Sequence, residues 1–230
     1  MAALSIFSSA AAFLTWTSPS RIRFKEQTIS THRILIVNGS LGGNKGNTAE
    51  LLAIAEEHLS PQAEISHLDL SREPSIDRVL DAASQADAFV FGSGTYWDSW
   101  GTPMQRFLEM TAHTEGHDYW VGKPVGIIVT AHAVGAKCVL TRMMGVFNVY
   151  GMLIPPFAGM AYTYANMVAY EHANEHLRNE LWTPADVEVV CHNLMEALKG
   201  TRNWTQWPIN SGKYGEKWLD AYSRSLQGQG

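Results

Sequence analysis

A glycine-rich segment at residues 39–48, which we call the first loop, carries chemical groups that bind phosphate. Besides four glycines it offers two hydroxyls and two side-chain amides, from Ser40, Thr48, Asn44 and Asn47. An apolar run precedes the loop and a helical pattern follows it, so free N–H groups of a helix N-terminus should face any bound anion. Neither the Walker A pattern nor the dinucleotide-binding glycine pattern is present. The alternative is an exposed glycine-rich turn with an ordinary helix cap.

Two further segments follow apolar runs later in the chain. The second loop, residues 94–99, reads Gly-Thr-Tyr-Trp-Asp-Ser, and the third loop, residues 130–135, reads Thr-Ala-His-Ala-Val-Gly. Aromatic side chains beside backbone donors are what a broad, flat ligand with a polar edge requires. The alternative for the aromatic residues of the second loop is that they cap the core.

An alternation of apolar runs and helical patterns supplies the framework for these loops. We predict strands at 34–37, 64–70, 88–91, 124–130 and 152–154. We predict helices at 49–57 with Asn47 and Thr48 as its cap, at 76–83, 103–111 and 137–150, and from Pro184 to Gly200 with Thr183 as its cap. This alternation predicts an α/β fold, a three-layer sandwich with a five-stranded parallel sheet and helices on both faces. Ligands of such sheets bind at the carboxyl ends of the strands, where all three loops should lie.

The segments 34–40, 46–52, 96–99 and 103–109 together resemble the flavodoxin-like NAD(P)H-dependent FMN reductases. The resemblance covers roughly residues 33–155. It implies a single flavodoxin-like, FMN-binding domain over residues 31–230 with an aromatic-rich C-terminal extension. It also implies FMN as cofactor and NADPH or NADH as co-substrate. The chain departs from the family where Leu41-Gly42 replaces a common Pro-Arg pair and Gln105 replaces a common Lys, and we expect Lys45 to supply the missing positive charge.

The same resemblance assigns cofactor contacts to all three loops. The first loop would hold the FMN phosphate, the second would lie along the isoalloxazine ring, and the third would border the pyrimidine end of that ring. The implied residues are Ser40, Leu41, Lys45, Asn47 and Thr48, then Gly94, Thr95, Tyr96, Trp97, Asp98 and Ser99, and finally Thr130, Ala131, His132 and Gly135. His132 is also a candidate hydrogen-bond donor to the reduced flavin, with a structural role in the loop as its alternative. No other side chain is predicted to be catalytic, since the flavin is the reactive centre.

The expected activity is a two-step NAD(P)H oxidoreductase cycle. Nicotinamide would deliver a hydride to the flavin and leave, and a quinone, a free flavin or an azo or nitro aromatic would then take its place. The alternative is a flavodoxin-type electron carrier without a substrate, although 17 basic against 22 acidic residues give a charge of only −5, which is modest for such a carrier. A flavin-free scaffold is a third interpretation. We expect a homodimer or homotetramer.

Composition excludes several other classes. With 46% apolar and 17% charged residues the chain should fold, and it has no Lys/Arg cluster that would bind nucleic acid. The two cysteines, Cys138 and Cys191, cannot form a disulfide scaffold or a four-ligand zinc site. We predict no membrane span, because the longest uncharged stretch, 143–170, is broken by Asn, Gly and Pro. The His-x-x-Glu-His pattern at 172–176 resembles zinc peptidases but lacks a third ligand, so no metal is expected.

The two ends of the chain differ from its middle. No acid occurs in the first 25 residues, so 1–30 is predicted to be a disordered leader or a transit peptide. We therefore expect a cytoplasmic protein, or an organellar one if the transit peptide is real. Core packing is the expected role of Trp204, Trp207 and Trp218 in the tail, with cover for the flavin edge or a dimer contact as alternatives. Buried packing is likewise expected for Cys138, and reactivity at a helix N-terminus is its alternative.

Overall fold

A computed structural model describes residues 32–178, 181–200 and 204 of the chain. The chain forms two units, residues 1–30 and 31–230, and every described residue belongs to the second. The predicted leader and the tail residues Trp207 and Trp218 lie outside the described residues.

Five parallel strands form one sheet in the order β2-β1-β3-β4-β5. They are β1 (His32–Asn38), β2 (Ala63–Asp69), β3 (Ala88–Gly94), β4 (Val125–Ala131) and β5 (Gly159–Thr163). All residues of β3 and β4 are buried, because helices cover both faces of the sheet centre. Strand order reverses between β1 and β3, and the loops that leave these two strands flank the crevice where such sheets bind ligands. This is the flavodoxin-like strand order, and the predicted fold class is confirmed.

Helices pack on both faces of the sheet. The helices of the described residues are α1 (Asn47–Leu59), α2 (Ile76–Gln85), α3 (Thr102–Thr111), α4 (Ala136–Val149), α5 (Tyr164–His172), α6 (Glu175–Arg178) and α7 (Val187–Leu198). Helices α5 and α6 bury no residue. Side chains alternate along β1, so Ile34 and Ile36 pack with α1 and α7 while Leu35 and Val37 pack with α2, α3 and α4. The two resulting cores make the three layers.

The core under α3 and α4 is aromatic. The rings of Phe91 and Phe147 lie 4.3 Å apart, and those of Phe89 and Trp120 lie 5.4 Å apart. The buried Trp120 donates its indole N–H to the Thr114 hydroxyl at 2.9 Å, so its one polar atom is satisfied.

The prediction of a strand at 152–154 is wrong, because the fifth strand is Gly159–Thr163. Leu153 makes only an isolated parallel bridge, in which it donates to Lys123 and accepts from Val125, both at 2.9 Å. Pro155 and Pro156 follow at once and have no N–H to donate, so the ladder stops there and resumes beyond them.

Two helix starts differ from the predicted ones. Gly46, not Asn47 or Thr48, is the N-cap of α1, and no side chain caps that helix. The last helix begins with a separate 3-10 turn, Pro184–Asp186, before α7. The Asp186 carboxylate accepts the Thr183 N–H at 2.5 Å, which fixes this turn in the manner of a capping box.

Two side-chain placements correct the sequence analysis. Cys138 is exposed rather than buried. Trp204 is half exposed beside Gly122, so core packing is wrong for this residue. His172 ends α5 and His176 lies in α6, so the two do not share a helix, and the described residues contain no group of three acidic, His or Cys side chains placed to hold a metal. Over the same residues, no helix is both long and apolar enough to cross a membrane.

Candidate functional site

The three loops are hydrogen-bonded to one another at the carboxyl edge of the sheet. The Thr48 and Thr130 hydroxyls lie 2.7 Å apart and join the first loop to the third. The Leu41 N–H donates to the Tyr96 hydroxyl at 3.2 Å, which joins the first loop to the second. The Thr95 N–H donates to the Thr130 carbonyl at 2.7 Å, which joins the second to the third. Segments far apart in sequence therefore form one site.

The first loop is shaped by Asn38, a buried residue at the end of β1. Its side-chain oxygen accepts from both the N–H and the hydroxyl of Ser40, at 3.0 and 2.8 Å, and its amide donates to the Gly43 carbonyl at 2.7 Å. Gly43 has φ +52, and a Cβ there would lie 2.5 Å from the Ser71 hydroxyl. Sequence reasoning missed Asn38, although an Asn before Gly-Ser at a strand end is a recognisable turn signal.

The N-terminus of α1 opens towards the first loop. Gly46 caps it in an extended conformation without any side-chain hydrogen bond, so the N–H groups of Asn47 and Thr48 have no acceptor within the helix. Lys45 is exposed directly before this cap. Free N–H groups, the helix dipole and a lysine together attract an anion.

A tight turn closes the second loop. Tyr96 and Ser99 form a two-way backbone bridge at 2.8 and 3.0 Å, and between them Trp97 and Asp98 have φ values of 50 and 58. Left-handed backbone costs a non-glycine residue about 1 kcal/mol or more, and such strain is typical of ligand-binding segments. The Trp97 side chain is fully exposed, with a relative exposure of 101%, so it does not cap the core.

Arg142 of α4 holds the second loop from outside. Its guanidinium lies 4.3 Å from the centre of the Trp100 ring and donates to the Asp98 carbonyl at 3.3 Å and to the Ser99 hydroxyl at 3.4 Å. Trp100 in turn donates to the Gln105 side chain at 2.7 Å. No local sequence signal identifies Arg142, because its partners lie more than forty positions earlier.

The third loop passes against the second at Gly135. Gly135 has φ +86, and a Cβ there would lie 2.1 Å from an oxygen of Asp98, so only glycine allows this approach. His132 is exposed and stacks on Tyr164 with ring centres 5.1 Å apart. Its carbonyl also accepts the Ala165 N–H at 3.1 Å. Tyr164 was not among the predicted site residues.

All fifteen predicted cofactor residues lie at this edge of the sheet, and they differ in exposure. Ser40, Thr48, Gly94, Thr130 and Ala131 are buried; Thr95, Tyr96, Ser99 and Gly135 are partly buried; Leu41, Lys45, Asn47, Trp97, Asp98 and His132 are exposed. The buried members form the floor of the site, and the exposed ones form its rim.

One atom of the site is unsatisfied. The Thr95 hydroxyl oxygen is buried and has no hydrogen-bond partner within the described part of the chain. Leaving such an atom unpaired costs about 1–3 kcal/mol, so it is expected to have a partner in the functional state. Together with the uncapped helix and the aromatic rim, this donor set fits a phosphorylated aromatic cofactor such as FMN.

The family model described as NADPH-dependent FMN reductase matches residues 32–167, which is more than half of the chain. The chain belongs to this family. The match includes all three loops, so the resemblance seen in the sequence is confirmed. No curated protein matches the chain in sequence.

Solved structures share the fold of this FMN reductase family member at low identity. RosB with a bound 8-demethyl-8-formylriboflavin-5'-phosphate has a TM-score of 0.58 and 12% identity, over 87% of this chain and 88% of that one. FerB from Paracoccus denitrificans, a flavoenzyme NAD(P)H:(acceptor) oxidoreductase, has a TM-score of 0.54 and 17% identity, over 73% of this chain and 99% of that one. The Flv1 flavodiiron core from Synechocystis sp. PCC6803 has a TM-score of 0.53 and 16% identity, and the match covers 75% of this chain but only 37% of that core.

Proposed function

We propose that this chain is an FMN-dependent oxidoreductase that takes reducing equivalents from NADPH or NADH and passes them to a small acceptor. The observation that carries the proposal is the joining of three family loops into one site beside an uncapped helix N-terminus. The acceptor class is a quinone, a flavin or an azo or nitro aromatic.

In this proposal the first loop binds the cofactor phosphate. Ser40 and Thr48 supply hydroxyls, the start of α1 supplies N–H groups, and Lys45 supplies positive charge. The Asn38 bonds to Ser40 and Gly43 hold the loop in the shape that aims these donors. The bound ligand of RosB is also a riboflavin phosphate, and we carry that ligand class to this chain only as part of the proposal.

The second and third loops hold the ring of the cofactor. Tyr96 and Trp97 provide an aromatic surface, and the unpaired hydroxyl of Thr95 provides a hydrogen bond. Residues 130–135 border the pyrimidine end of the ring. FMN when bound supplies the hydride and electron chemistry, while these residues orient it and exclude water. His132, exposed beside Tyr164, would donate a hydrogen bond near the pyrimidine end of the ring.

A homodimer or homotetramer is part of the proposal. The rim carries the exposed apolar side chains of Leu41 and Trp97, at relative exposures of 52% and 101%, and Val134 of the third loop is 79% exposed. Exposed apolar groups that lie close together are typical of contact surfaces between proteins.

The decisive experiment records the visible spectrum of the purified protein and then adds NADPH without oxygen. We expect a yellow protein that bleaches within seconds. A yellow protein that ignores both NADPH and NADH would favour the electron carrier. A colourless protein that cannot be reconstituted with FMN would contradict both functions.

A further inference from the structure

A cavity of about 650 Å³ begins at the cofactor residues and extends away from the second loop. The start of α1, the ends of β4 and β5, helix α5 and the turn before α7 form its walls. Its lining includes Glu50, Tyr162, Tyr164, Met167, Tyr170 and Glu171. Its volume is in the range of cavities that bind small molecules.

One side of this cavity is aromatic. Tyr162, Tyr164 and Tyr170 line it together with Met167, whose flexible side chain adapts to flat ligands. The faces of aromatic rings attract cations. The Arg178 guanidinium lies 5.3 Å from the centre of the Tyr170 ring, and the His132 ring stacks on Tyr164 at 5.1 Å. One face of each of these two rings is therefore already occupied, and a ligand would use the other face.

The charge of the cavity is negative. Glu50 of α1 and Glu171 of α5 line it, and no lysine or arginine is among its described lining residues. Arg178, outside the lining, donates to the Glu171 backbone carbonyl at 3.3 Å. Within the described ranges neither carboxylate forms a salt bridge. Burial raises the pKa of the Tyr162 hydroxyl, and the negative charge of Glu171 raises it further, which places that charge close to the aromatic wall.

We propose that this cavity binds a planar aromatic cation. Tyrosine faces and Met167 would receive the flat ring system, and the two carboxylates would select a positive charge over a neutral or negative one. Binding in this cavity requires no cofactor, so the proposal goes beyond the proposed function. Because the cavity shares Asn47, Thr130 and Ala131 with the cofactor site, its occupant would lie next to that site.

The test titrates the full chain with thioflavin T, a planar cationic dye that fluoresces when it is held rigid. We expect saturable binding at one site per chain and at least tenfold weaker binding of the anionic aromatic dye ANS. Glu50→Gln and Glu171→Gln should each weaken thioflavin T binding about threefold, and the double variant about tenfold. Glu57→Gln changes the same charge on an exposed position of α1 outside the cavity and should leave the affinity unchanged.

A second variant tests the aromatic wall. Tyr170→Leu keeps apolar volume and removes the ring, so it should weaken thioflavin T binding about threefold. Absence of saturable binding, equal affinity for ANS, or an unchanged affinity in the double glutamine variant would each overturn the proposal. FMN binding is measured separately on the same samples, so a chain that binds FMN but not thioflavin T contradicts only this inference, and the reverse result contradicts only the proposed function.

Discussion

The hydroxyl groups of Thr48 and Thr130 lie 2.7 Å apart, although the two residues are 82 positions apart in the chain. Both side chains are buried, and they connect the start of α1 with the end of β4. This contact joins the first loop to the third on the floor of the candidate site.

Removal of one hydroxyl from this pair should destabilise the fold. Thr48→Val leaves the buried Thr130 hydroxyl without this partner, and we expect the free energy of unfolding to fall by about 1–3 kcal/mol. The double variant, Thr48→Val with Thr130→Val, should lose less stability than the sum of the two single changes, because neither buried hydroxyl is left unpaired. Urea denaturation measures these values. Thr141→Val is the matched control, since that exposed hydroxyl bonds only to carbonyls of its own helix and should change stability by less than about 0.5 kcal/mol.

Two glycines at the start and in the middle of one helix should respond to alanine with opposite signs. At Gly135, φ is +86 and the new Cβ would meet Asp98 at 2.1 Å, so Gly135→Ala should cost about 1–3 kcal/mol and displace the second loop. At Gly145, inside α4, a Cβ has no neighbour within 4 Å. Gly145→Ala should therefore raise stability by about 0.5–1 kcal/mol. Thermal unfolding of both variants measures the two effects. Equal shifts of the unfolding midpoint would disprove the close approach at Gly135.

Arg142 should act as a positioning residue for the second loop. Arg142→Met removes the guanidinium from Trp100 and from the Asp98 carbonyl, and we expect FMN to bind about tenfold more weakly, as read from quenching of flavin fluorescence. Arg142→Lys keeps the positive charge without the planar stacking, so its FMN affinity should lie between those of the unchanged protein and Arg142→Met. Lys137→Met removes a positive charge from the exposed start of the same helix and should leave FMN affinity unchanged. The same loss of affinity in Lys137→Met would mean that net charge, not loop position, is the cause.

The two cysteines should differ sharply in reactivity. Burial is the main reason that the pKa of the Cys191 thiol rises from 9.0 to about 12, with a smaller effect of Glu188. The thiolate is the reactive form, so Cys191 should resist iodoacetamide at pH 8 to 9 while exposed Cys138 is alkylated. Mass spectrometry after labelling should show one modified cysteine in the folded chain and two in urea. Modification of Cys191 in the folded chain would contradict its burial against α1.

The regular elements were mostly predictable because central parallel strands are buried on both faces. The runs at 34–37, 88–91 and 124–130 are continuous and apolar, which is the pattern that such burial requires. The edge strand β5 was not predictable by this rule. Its sequence, Gly-Met-Ala-Tyr-Thr, is only partly buried, whereas the more apolar run at 152–154 is stopped by two prolines.

The local shape of the first loop was within reach of sequence reasoning, since Asn38 contacts residues only two and five positions away. The contacts between loops could not be predicted from the local sequence. Leu41 meets Tyr96, 55 positions later, and Arg142 meets Asp98, 44 positions earlier. Such pairs depend on how strands and helices are arranged in space, and no local pattern encodes that arrangement.

The sequence by itself determined the strand-helix alternation, the family and the three segments of the candidate site, because buried strands and glycine-rich turns have distinctive local compositions. The tertiary structure alone decided which side chains face one another. It placed Tyr96 against the first loop, Asp98 against Gly135 and two carboxylates in a tyrosine-lined cavity. The physical reason is that turn and strand preferences act over a few residues, whereas these contacts follow from the packing of helices across the whole sheet.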